Sequence, residues 1–280
     1  MQTGEPSRTA LGAAAHRAVH QTIEAGVIFA DPFALRILDD ATRARLADMA
    51  ADPSQRSMRH FVAGRSRFSE DALAACVARG VRQVVILGAG LDTFSLRNPY
   101  ADKDVRIFEV DYPATQAWKR ERIAQAGLDM PASVTFAPVD FERQSLSEGL
   151  VAAGFRLDRA AYFQWLGVTP YLTREAIVAT LDFIAGIAGS EVVFEYAEPF
   201  ENLSPAVRAN AMAIAARTAS LGEPWLSLFD PAEMSKLLQA RRFAHTEDLS
   251  RFELADRYYG DLKQGVVAGA GPHLVRATSR

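Results

Sequence analysis

Hydrophobic residues follow two patterns that alternate along the chain. Short runs rich in Val, Ile, Phe and Leu are followed by longer stretches in which apolar residues recur every three or four positions. The short runs predict strands buried on both faces, and the longer stretches predict amphipathic helices. The predicted strands cover residues 81–88, 104–111, 132–140, 159–169 and 191–199.

Helices are predicted between and around these strands. Gly80 and Gly127 are typical of helix ends, and Thr173 is typical of a helix start. In residues 29–40, the pair Asp31-Pro32 predicts a loop followed by a helix. The other predicted helices cover residues 9–26, 66–79, 113–127, 145–155, 173–188 and 230–240.

This order of elements predicts an α/β fold, because parallel strands need crossover connections and helices commonly supply them. The pattern loosens after Pro199, where the Ala-rich residues 200–228 indicate an insertion or lid. Residues 244–250 and 273–279 are expected to add two last strands as an antiparallel pair.

No stretch has the composition of a linker, so we expect a single domain over residues 1–280. Within it we expect a helical N-terminal cap at 1–60 and a ligand-binding core at 61–199. The lid follows at 200–228, and residues 229–280 complete the sheet.

The composition carries no strong charge bias. Hydrophobic residues make up 49% and charged residues 23%, and the net charge of -3 argues against nucleic acid as a partner. The chain lacks the run of about 18 apolar residues that a membrane helix needs, and residues 1–20 make a poor signal peptide. The single cysteine, Cys76, argues against a disulfide or a cysteine-based metal site. We expect a cytoplasmic protein without membrane association or metal.

The first predicted strand leads into the best candidate for a binding loop. Residues 84–87 are apolar and run directly into Gly88-Ala89-Gly90. Glycines at a strand end let a ligand approach the backbone and permit positive φ angles. A dinucleotide fingerprint would have a third glycine where Thr93 stands. A simple tight turn is the alternative for a glycine pair taken alone.

Ligands of open α/β sheets bind beyond the carboxyl ends of the strands, and several predicted strands end in polar residues. Asp111 follows Gly90 by about 20 residues, the distance at which an acid binds ribose hydroxyls. Asp140-Phe141 suits an adenine, and Gln164 lies near the end of the fourth strand. Each residue alone could be a helix cap or loop residue. Their repetition at successive strand ends indicates an adenosine site.

The loop favours an adenosyl ligand without phosphates. Thr93 weakens the case for a pyrophosphate, and the carboxylate of Asp92 would repel one. S-adenosylmethionine carries a sulfonium and an amino group instead, and its carboxylate needs a cation. Arg65 and Arg67, before the first strand, are candidates for that cation, and surface arginines are the alternative.

These segments together resemble a known family. They are similar to the leucine carboxyl methyltransferase family, and within it to a bacterial branch of S-adenosylmethionine-dependent methyltransferases that includes polyketide O-methyltransferases. The similarity covers about residues 29–199 and is carried by GRSRFSEDALAACVARGVRQVVILGAGLDTFSLR, FEVDYPATQAWKRERI, VDF and WLGVTPYLTREA. The resemblance implies a class I methyltransferase (Rossmann-like) fold with a seven-stranded sheet, and S-adenosyl-L-methionine as cofactor.

The resemblance also implies roles for individual residues. It places Arg65 on the methionine carboxylate and Asp111 on the ribose hydroxyls. Gly88, Ala89 and Gly90 would contact the methionine and ribose, and Asp140 and Phe141 the adenine. The chain departs from the family at Gln164, where members that methylate a protein C-terminus carry a glutamate followed closely by a tyrosine. This departure puts a protein-tail substrate in doubt, although Gln164 can still accept a hydrogen bond from the cofactor.

Residues for the methyl acceptor are harder to identify. The five histidines are scattered and suggest no pair with an acid, which favours an acceptor that ionises without a base. His20, Tyr171, Tyr196 and Trp225 are candidates for the acceptor pocket, with Glu195 beside Tyr196. The alternatives are a solvated helix face for His20 and strand-end packing for the two tyrosines.

We expect O-methylation of a carboxylate or hydroxyl on a small molecule, such as a secondary metabolite or polyketide. Carboxyl methylation of a peptide or protein C-terminus is the alternative within the family. An NAD(P)-dependent oxidoreductase is another, since Tyr259 and Lys263 match a dehydrogenase YxxxK motif, but they follow the sheet too late. A non-catalytic adenosyl-binding protein is the third, and the complete set of Arg65, the glycine loop and Asp111 argues against it.

Overall fold

The computed structural model describes residues 7–139, 144–266, 268–269 and 271–280. These residues form a seven-stranded sheet in the order β3-β2-β1-β4-β5-β7-β6. Strands β1 to β5 run parallel, and β7 lies antiparallel between β5 and β6. The strands are β1 (Gln83–Leu87), β2 (Arg106–Asp111), β3 (Val134–Pro138), β4 (Ala161–Trp165), β5 (Glu191–Ala197), β6 (Phe243–Ser250) and β7 (Pro272–Ser279). The predicted α/β fold with a seven-stranded, mostly parallel sheet is confirmed.

The helices connect the parallel strands and cover both faces of the sheet. They are α1 (Arg8–Ile23), α2 (Asp40–Ala44), α3 (Leu46–Ala51), α4 (Arg56–Ala78), α5 (Phe94–Arg97), α6 (Pro113–Gln125), α7 (Leu146–Ala152), α8 (Arg174–Ala185), α9 (Pro205–Ser220), α10 (Pro231–Ala240) and α11 (Arg251–Tyr258).

The helix predicted after Pro32 is wrong. Residues 32–38 form turns, and the next helix begins at Asp40. The Asp31 carboxylate accepts hydrogen bonds from Arg17 (3.2 Å) and Thr93 (2.7 Å), and Ile37 and Leu38 are buried. Local turn hydrogen bonds, such as Ile37 N–H to the Phe33 carbonyl, and these tertiary contacts together hold the segment.

Helix α4 begins at Arg56, ten residues before its predicted start, and continues through Gly64. A β-carbon at Gly64 would lie 2.8 Å from Cε1 of Tyr259. Gly64 therefore lets Tyr259 pack closely against the helix and does not end it. Tyr259 follows α11, which the sequence pattern did not predict.

Two apolar layers cover the two faces of the sheet. Successive side chains of a strand point to opposite faces, so Val85 and Leu87 pack in one layer and Val84 and Ile86 in the other. Helix α8 covers the first layer and helix α4 the second. Both faces are therefore closed, and the carboxyl ends of the strands are left to the connecting loops.

The N-terminal helix and the predicted lid differ in packing. Ala14 and Ala18 of α1 are buried in a cluster with Leu91 of the glycine loop. Helix α9, in the predicted lid, has a single buried residue, Thr218. In the part of the chain that the structure describes, no helix combines the length and apolar character needed to cross a bilayer.

Candidate functional site

The strand order reverses between β1 and β4. From β1 the chain adds β2 and β3 on one side and then returns to place β4 on the other. A crevice at such a reversal, beyond the carboxyl ends of the strands, is where open α/β sheets bind ligands. Gly88 and Gly90 follow β1, Asp111 ends β2, and Gln164 is the penultimate residue of β4. The structure therefore brings these four predicted residues to one edge of the sheet.

The glycine loop depends on both of its glycines. Gly88 and Gly90 have φ angles of +66° and +45°, which residues with a side chain rarely adopt. A β-carbon at Gly88 would collide with Cγ2 of Val168, and one at Gly90 would lie 2.9 Å from Cβ of Ala10. The N–H groups of Gly88 and Ala89 both donate to the carbonyl of Val110, at 2.8 and 3.1 Å. The loop is thus fixed between β2, the loop after β4 and the start of α1.

Asp111 is tied directly to this loop. Its Oδ2 accepts the N–H of Gly90 at 2.6 Å, and its Oδ1 accepts the N–H of Tyr112 at 2.7 Å. Burial raises the pKa of Asp111 to about 6, although the two N–H donors and Lys119 oppose the rise. Each carboxylate oxygen has a further lone pair, so Asp111 can accept two more donors, such as a diol.

Glu109, two residues before Asp111, belongs to a different pair. Its Oε2 lies 2.7 Å from Nζ of Lys119 in α6, and both side chains are buried. Because Glu109 is buried and paired with Lys119, Asp111 is the acid that β2 presents at its carboxyl end.

Asp92 and Gln164 contact each other. Asp92 accepts the N–H of Phe94 at 2.7 Å and the Nε2 amide of Gln164 at 3.2 Å. Gln164 Oε1 in turn accepts the Ser69 hydroxyl at 3.0 Å. Burial alone would raise the pKa of Asp92, but the charges of neighbouring basic side chains hold it below the usual value. The acidic turn predicted in the loop is thus an ionised, internally bonded carboxylate.

Thr93 explains the missing third glycine. Its hydroxyl donates to Asp31 at 2.7 Å, and the residue is fully buried. A glycine there would lose the contact that ties the loop to residues 31–38.

Arg65 reaches the strand ends from α4, where it pairs with Glu195 of β5. Arg65 Nη1 lies 2.6 Å from Glu195 Oε1, and the two residues are 9% and 6% exposed. Glu195 Oε2 is buried and has no hydrogen-bond partner among the described residues. Arg67 instead pairs with Asp71 on the outer face of α4 at 3.0 Å, half exposed. Of the two predicted arginines, Arg65 is the one that faces the crevice.

His20 is part of a buried cluster between α1 and α4. Its Nδ1 lies 2.9 Å from Glu24, and its Nε2 accepts the N–H groups of Ile28 and Phe29. Glu24 also accepts from Arg59 and from His60, the latter at 2.9 Å. The solvated-face interpretation of His20 is therefore wrong, because the residue is 0% exposed. The expectation that no histidine pairs with an acid is wrong as well, and both ring nitrogens of His20 are already used within the chain.

His16, one turn before His20, has a different environment. Its Nδ1 is buried and finds no partner within the described ranges. Burial lowers the pKa of His16, and together with the charges of Arg59, Arg65 and Arg217 it brings the value to about 4. His16 is therefore a neutral imidazole near several arginines. The local sequence did not predict this environment, because the arginines lie far from His16 along the chain.

The two predicted tyrosines have different partners. Tyr171 ends a short 3₁₀ turn after β4, close to Trp225 and Thr9, and burial raises its pKa although both neighbours oppose the rise. Tyr196 donates to Asp248 at 2.7 Å and stacks on His273. Neighbouring residues of a strand point to opposite faces, so Tyr196 and Glu195 do not share a pocket. The expected cluster of Tyr171, Tyr196 and Glu195 is wrong for Tyr196.

Two residues of the predicted lid, Trp225 and Glu223, have identified partners. Trp225 stacks on Phe200, with ring centroids 6.1 Å apart, and its Nε1 is buried without a partner in the described part of the chain. Glu223 accepts the N–H groups of Arg8 (2.8 Å) and Thr9 (3.2 Å) at the start of α1. Nothing in the local sequence indicates this contact, because its partners are more than 200 residues apart.

The remaining predictions concern the adenine residues, the dehydrogenase motif and metal binding. Asp140 and Phe141 lie outside the described residues. Tyr259 packs against His60, whereas Lys263 pairs with Asp256 on the surface. The pair required by the dehydrogenase alternative is therefore not formed. Within the described ranges, no three His, Cys, Asp or Glu side chains lie close enough together to hold a metal ion.

Comparison with protein families matches residues 10–185 to the leucine carboxyl methyltransferase family. YktD of Bacillus subtilis (strain 168), whose name assigns it provisionally to the S-adenosyl-L-methionine-dependent methyltransferases, is 32% identical over 219 residues, covering 77% of this chain and 71% of that protein. A Mycobacterium avium (strain 104) protein with the same provisional assignment is 34% identical over 183 residues, covering 60% of this chain and 57% of that protein.

The fold is also similar to that of a solved protein. A crystal structure from Thermobifida fusca YX, described provisionally as a methyltransferase, aligns over 100% of this chain and 97% of that one with a TM-score of 0.59. The identity is 15%, so this likeness concerns the fold alone.

Proposed function

The chain belongs to the leucine carboxyl methyltransferase family and is an S-adenosylmethionine-dependent methyltransferase, and from this premise we propose that it methylates an oxygen atom of a small-molecule acceptor. A carboxylate is the acceptor group that the surroundings favour. A hydroxyl of low pKa is the second candidate.

The residues at the crevice fit the cofactor. Asp111 is buried, touches the glycine loop through Gly90, and keeps lone pairs for both ribose hydroxyls. Gly88, Ala89 and Gly90 would contact the methionine and ribose, and Arg65 would bind the methionine carboxylate. Gln164 would act through Asp92, which it orients. Asp140 and Phe141 are proposed for the adenine on the basis of sequence alone.

The bound cofactor supplies a methyl group already activated by a sulfonium. The protein has to align the acceptor oxygen with that methyl group, and such positioning can lower a barrier by about 7–11 kcal/mol. Helix α1 and residues 200–228 would cover the crevice and exclude water. This would help to keep the acceptor oxygen aligned with the methyl group.

The charge around His16 carries the assignment of the acceptor. Arg59, Arg65 and Arg217 all lie close enough to lower its pKa, and with burial they bring it to about 4. At neutral pH such a group is a weak general base, so it would do little for an acceptor that must first lose a proton. An acceptor carboxylate is already ionised, since its usual pKa is about 4. Positive surroundings then favour its binding.

Labelled methyl transfer tests this proposal. The protein is incubated with methyl-tritiated S-adenosylmethionine and panels of fatty acids, aromatic acids, phenols and short peptides, and extracted products are counted before and after mild base. A methyl ester releases volatile labelled methanol in base, whereas a methyl ether keeps its label. We expect base-labile label on a small acid. Base-stable label would move the acceptor to a hydroxyl, and label on peptides alone would contradict the small-molecule assignment.

Asp111→Asn is the matched control for this assay. It keeps the shape of the side chain but removes the charge that accepts the ribose hydroxyls, so transfer should fall with the wild-type product unchanged in kind. Tight binding of S-adenosylhomocysteine without transfer to any acceptor would instead support a non-catalytic adenosyl-binding protein.

A further inference from the structure

The ion pair between Arg65 and Glu195 leaves one carboxylate oxygen unused. Arg65 Nη1 contacts Oε1 at 2.6 Å, and Oε2 is buried without a hydrogen-bond partner among the described residues. Leaving a buried polar atom unpaired costs about 1–3 kcal/mol, more when it is charged. Buried polar atoms of native proteins are therefore nearly always satisfied, and an exception calls for an explanation.

Two other buried carboxylates that pair with arginine accept donors on both oxygens. Both oxygens of Glu24 accept donors, from Arg59, His60 and His20. Both oxygens of Glu191, at the opposite end of β5, do the same: Oε1 accepts from Arg276 at 2.8 Å, and Oε2 from Arg79 at 2.9 Å. The open oxygen of Glu195 thus distinguishes it from these two acids. Glu109, whose oxygens also make no hydrogen bond among the described residues, instead faces Nζ of Lys119 at 2.7 Å.

The pair also lies next to the glycine loop. The connection after β4 packs between the two: Val168 lies against Gly88, and the neighbouring Gly167 lies against Arg65, where a β-carbon would be 3.0 Å from Nη2. The Thr169 hydroxyl donates to the backbone carbonyl of Glu195 and fixes the end of β5 to the same connection. The same connection therefore contacts both the glycine loop and the Arg65–Glu195 pair.

We infer that Glu195 binds the α-ammonium group of the cofactor through Oε2, while Arg65 binds the carboxylate on the same carbon. The inference rests on the proposed cofactor site. An amino acid end is a zwitterion, and a cation and an anion held side by side match it. Arg65 spends one of its five N–H donors on Glu195, and the others suit a carboxylate.

Two other groups at the crevice are less suited to the ammonium. Gln164 is neutral, and both ends of its amide are engaged, with Ser69 and with Asp92. Both oxygens of Asp92 already accept donors, from Phe94 and Gln164. Among the described acids of this edge, Glu195 is the one that combines negative charge with an open oxygen.

The test compares three ligands by titration calorimetry. They are S-adenosylhomocysteine, its analogue with hydrogen in place of the α-amino group, and 5′-methylthioadenosine, which lacks the amino acid end. Glu195→Gln is expected to weaken S-adenosylhomocysteine at least about ten-fold, as for a lost charge-assisted hydrogen bond. Binding of the other two ligands should change less than about two-fold, since neither carries the ammonium.

Glu191→Gln is the matched control, because it also removes a buried, arginine-paired carboxylate from β5, at the far end of the strand. It should lower thermal stability and leave all three affinities unchanged. If Glu195→Gln fails to fold, Glu195→Asp keeps the charge and should retain a preference for S-adenosylhomocysteine over the deaminated analogue.

Two outcomes overturn the inference while the cofactor site survives: unchanged binding of S-adenosylhomocysteine by Glu195→Gln, or equal losses for it and the deaminated analogue. Failure of the wild-type protein to bind S-adenosylhomocysteine would remove the cofactor site as well. The two failures are therefore distinguishable.

Discussion

The two halves of the crevice differ in how their polar groups are satisfied. On the β1–β2 side, the Asp111 and Asp92 carboxylates accept donors on both oxygens, and the glycine loop is hydrogen-bonded to β2. Glu109 of β2 makes no side-chain hydrogen bond among the described residues, but its carboxylate lies against the ammonium of Lys119. On the side of β5 and α1, buried polar atoms of Glu195, His16 and Trp225 lack partners among the residues described.

The two halves of the crevice therefore depend on a ligand to different degrees. The first half holds its shape through contacts within the chain and needs only small additions from a ligand. The second half keeps unsatisfied groups that a zwitterion or an anionic acceptor could complete. Cofactor affinity should therefore depend on backbone shape at β1, and on individual charges at β5.

The largest effect should come from breaking the backbone shape. Gly88→Ala places a β-carbon against Val168 at a φ of +66°. Strain in this region costs about 1–3 kcal/mol, and relieving the collision moves the loop, so we expect S-adenosylhomocysteine to bind about 100-fold more weakly. Calorimetry measures the change.

Gly127→Ala is the control for strain alone. Its φ is +59°, and a β-carbon there meets nothing within 4 Å. It should lower the melting temperature without changing affinity. Equal affinity losses for the two variants would show that Gly88 matters through stability and not through the shape of the crevice.

The next effect concerns the charge on Asp111. Its pKa is raised to about 6, and the ionised form is the better acceptor for ribose hydroxyls. Affinity for S-adenosylhomocysteine should thus be full above pH 7. It should fall as the pH drops through 6, by up to about ten-fold per unit.

Asp111→Asn should bind at least about ten-fold more weakly at pH 7.5 and show no such pH dependence. Neighbouring Glu109 and Lys119 are closed into a pair and remain in both proteins. A pH profile that persists in Asp111→Asn would assign the titration to another group.

A smaller effect separates the two faces of β5. Tyr196→Phe removes a hydrogen bond to the Asp248 carboxylate, worth about 1.5–3 kcal/mol of unfolding free energy. Because Tyr196 points away from Glu195, cofactor affinity and the acceptor KM should stay within about two-fold. Denaturant unfolding and steady-state kinetics give the two readings. A raised KM for the acceptor with unchanged stability would instead show that Tyr196 contributes to the acceptor pocket.

The first half of the crevice could be predicted from the sequence because its residues are local to strand ends. Gly88, Gly90 and Asp111 each lie at or just after the end of a largely apolar strand, and the parallel arrangement of β1 and β2 brings those strand ends to one edge. The pairing of Arg65 with Glu195 could not be predicted, since it depends on how α4 packs against β5 across 130 residues. The strand period could have separated Tyr196 from Glu195.

Tertiary contacts also decided the errors in secondary structure. Pro32 follows Asp31 as at many helix starts, and Asp31 Oδ1 does accept the N–H of Phe33, but Oδ2 is tied to Arg17 and Thr93 and the segment continues as turns. The helix predicted from residue 66 begins ten residues earlier and includes Gly64, which makes room for Tyr259 almost 200 residues later. Neither partner is visible in the local pattern.

The contact of Glu223 with the start of α1 has a consequence for the order of events in turnover. Ala10 lies against Gly90, so the first turn of α1 covers the loop that the cofactor would touch, and Glu223 fastens that turn to the lid. Entry of the cofactor and departure of its demethylated product then require the same release of this latch. We therefore expect the two exchanges to share one conformational step, the opening of this contact.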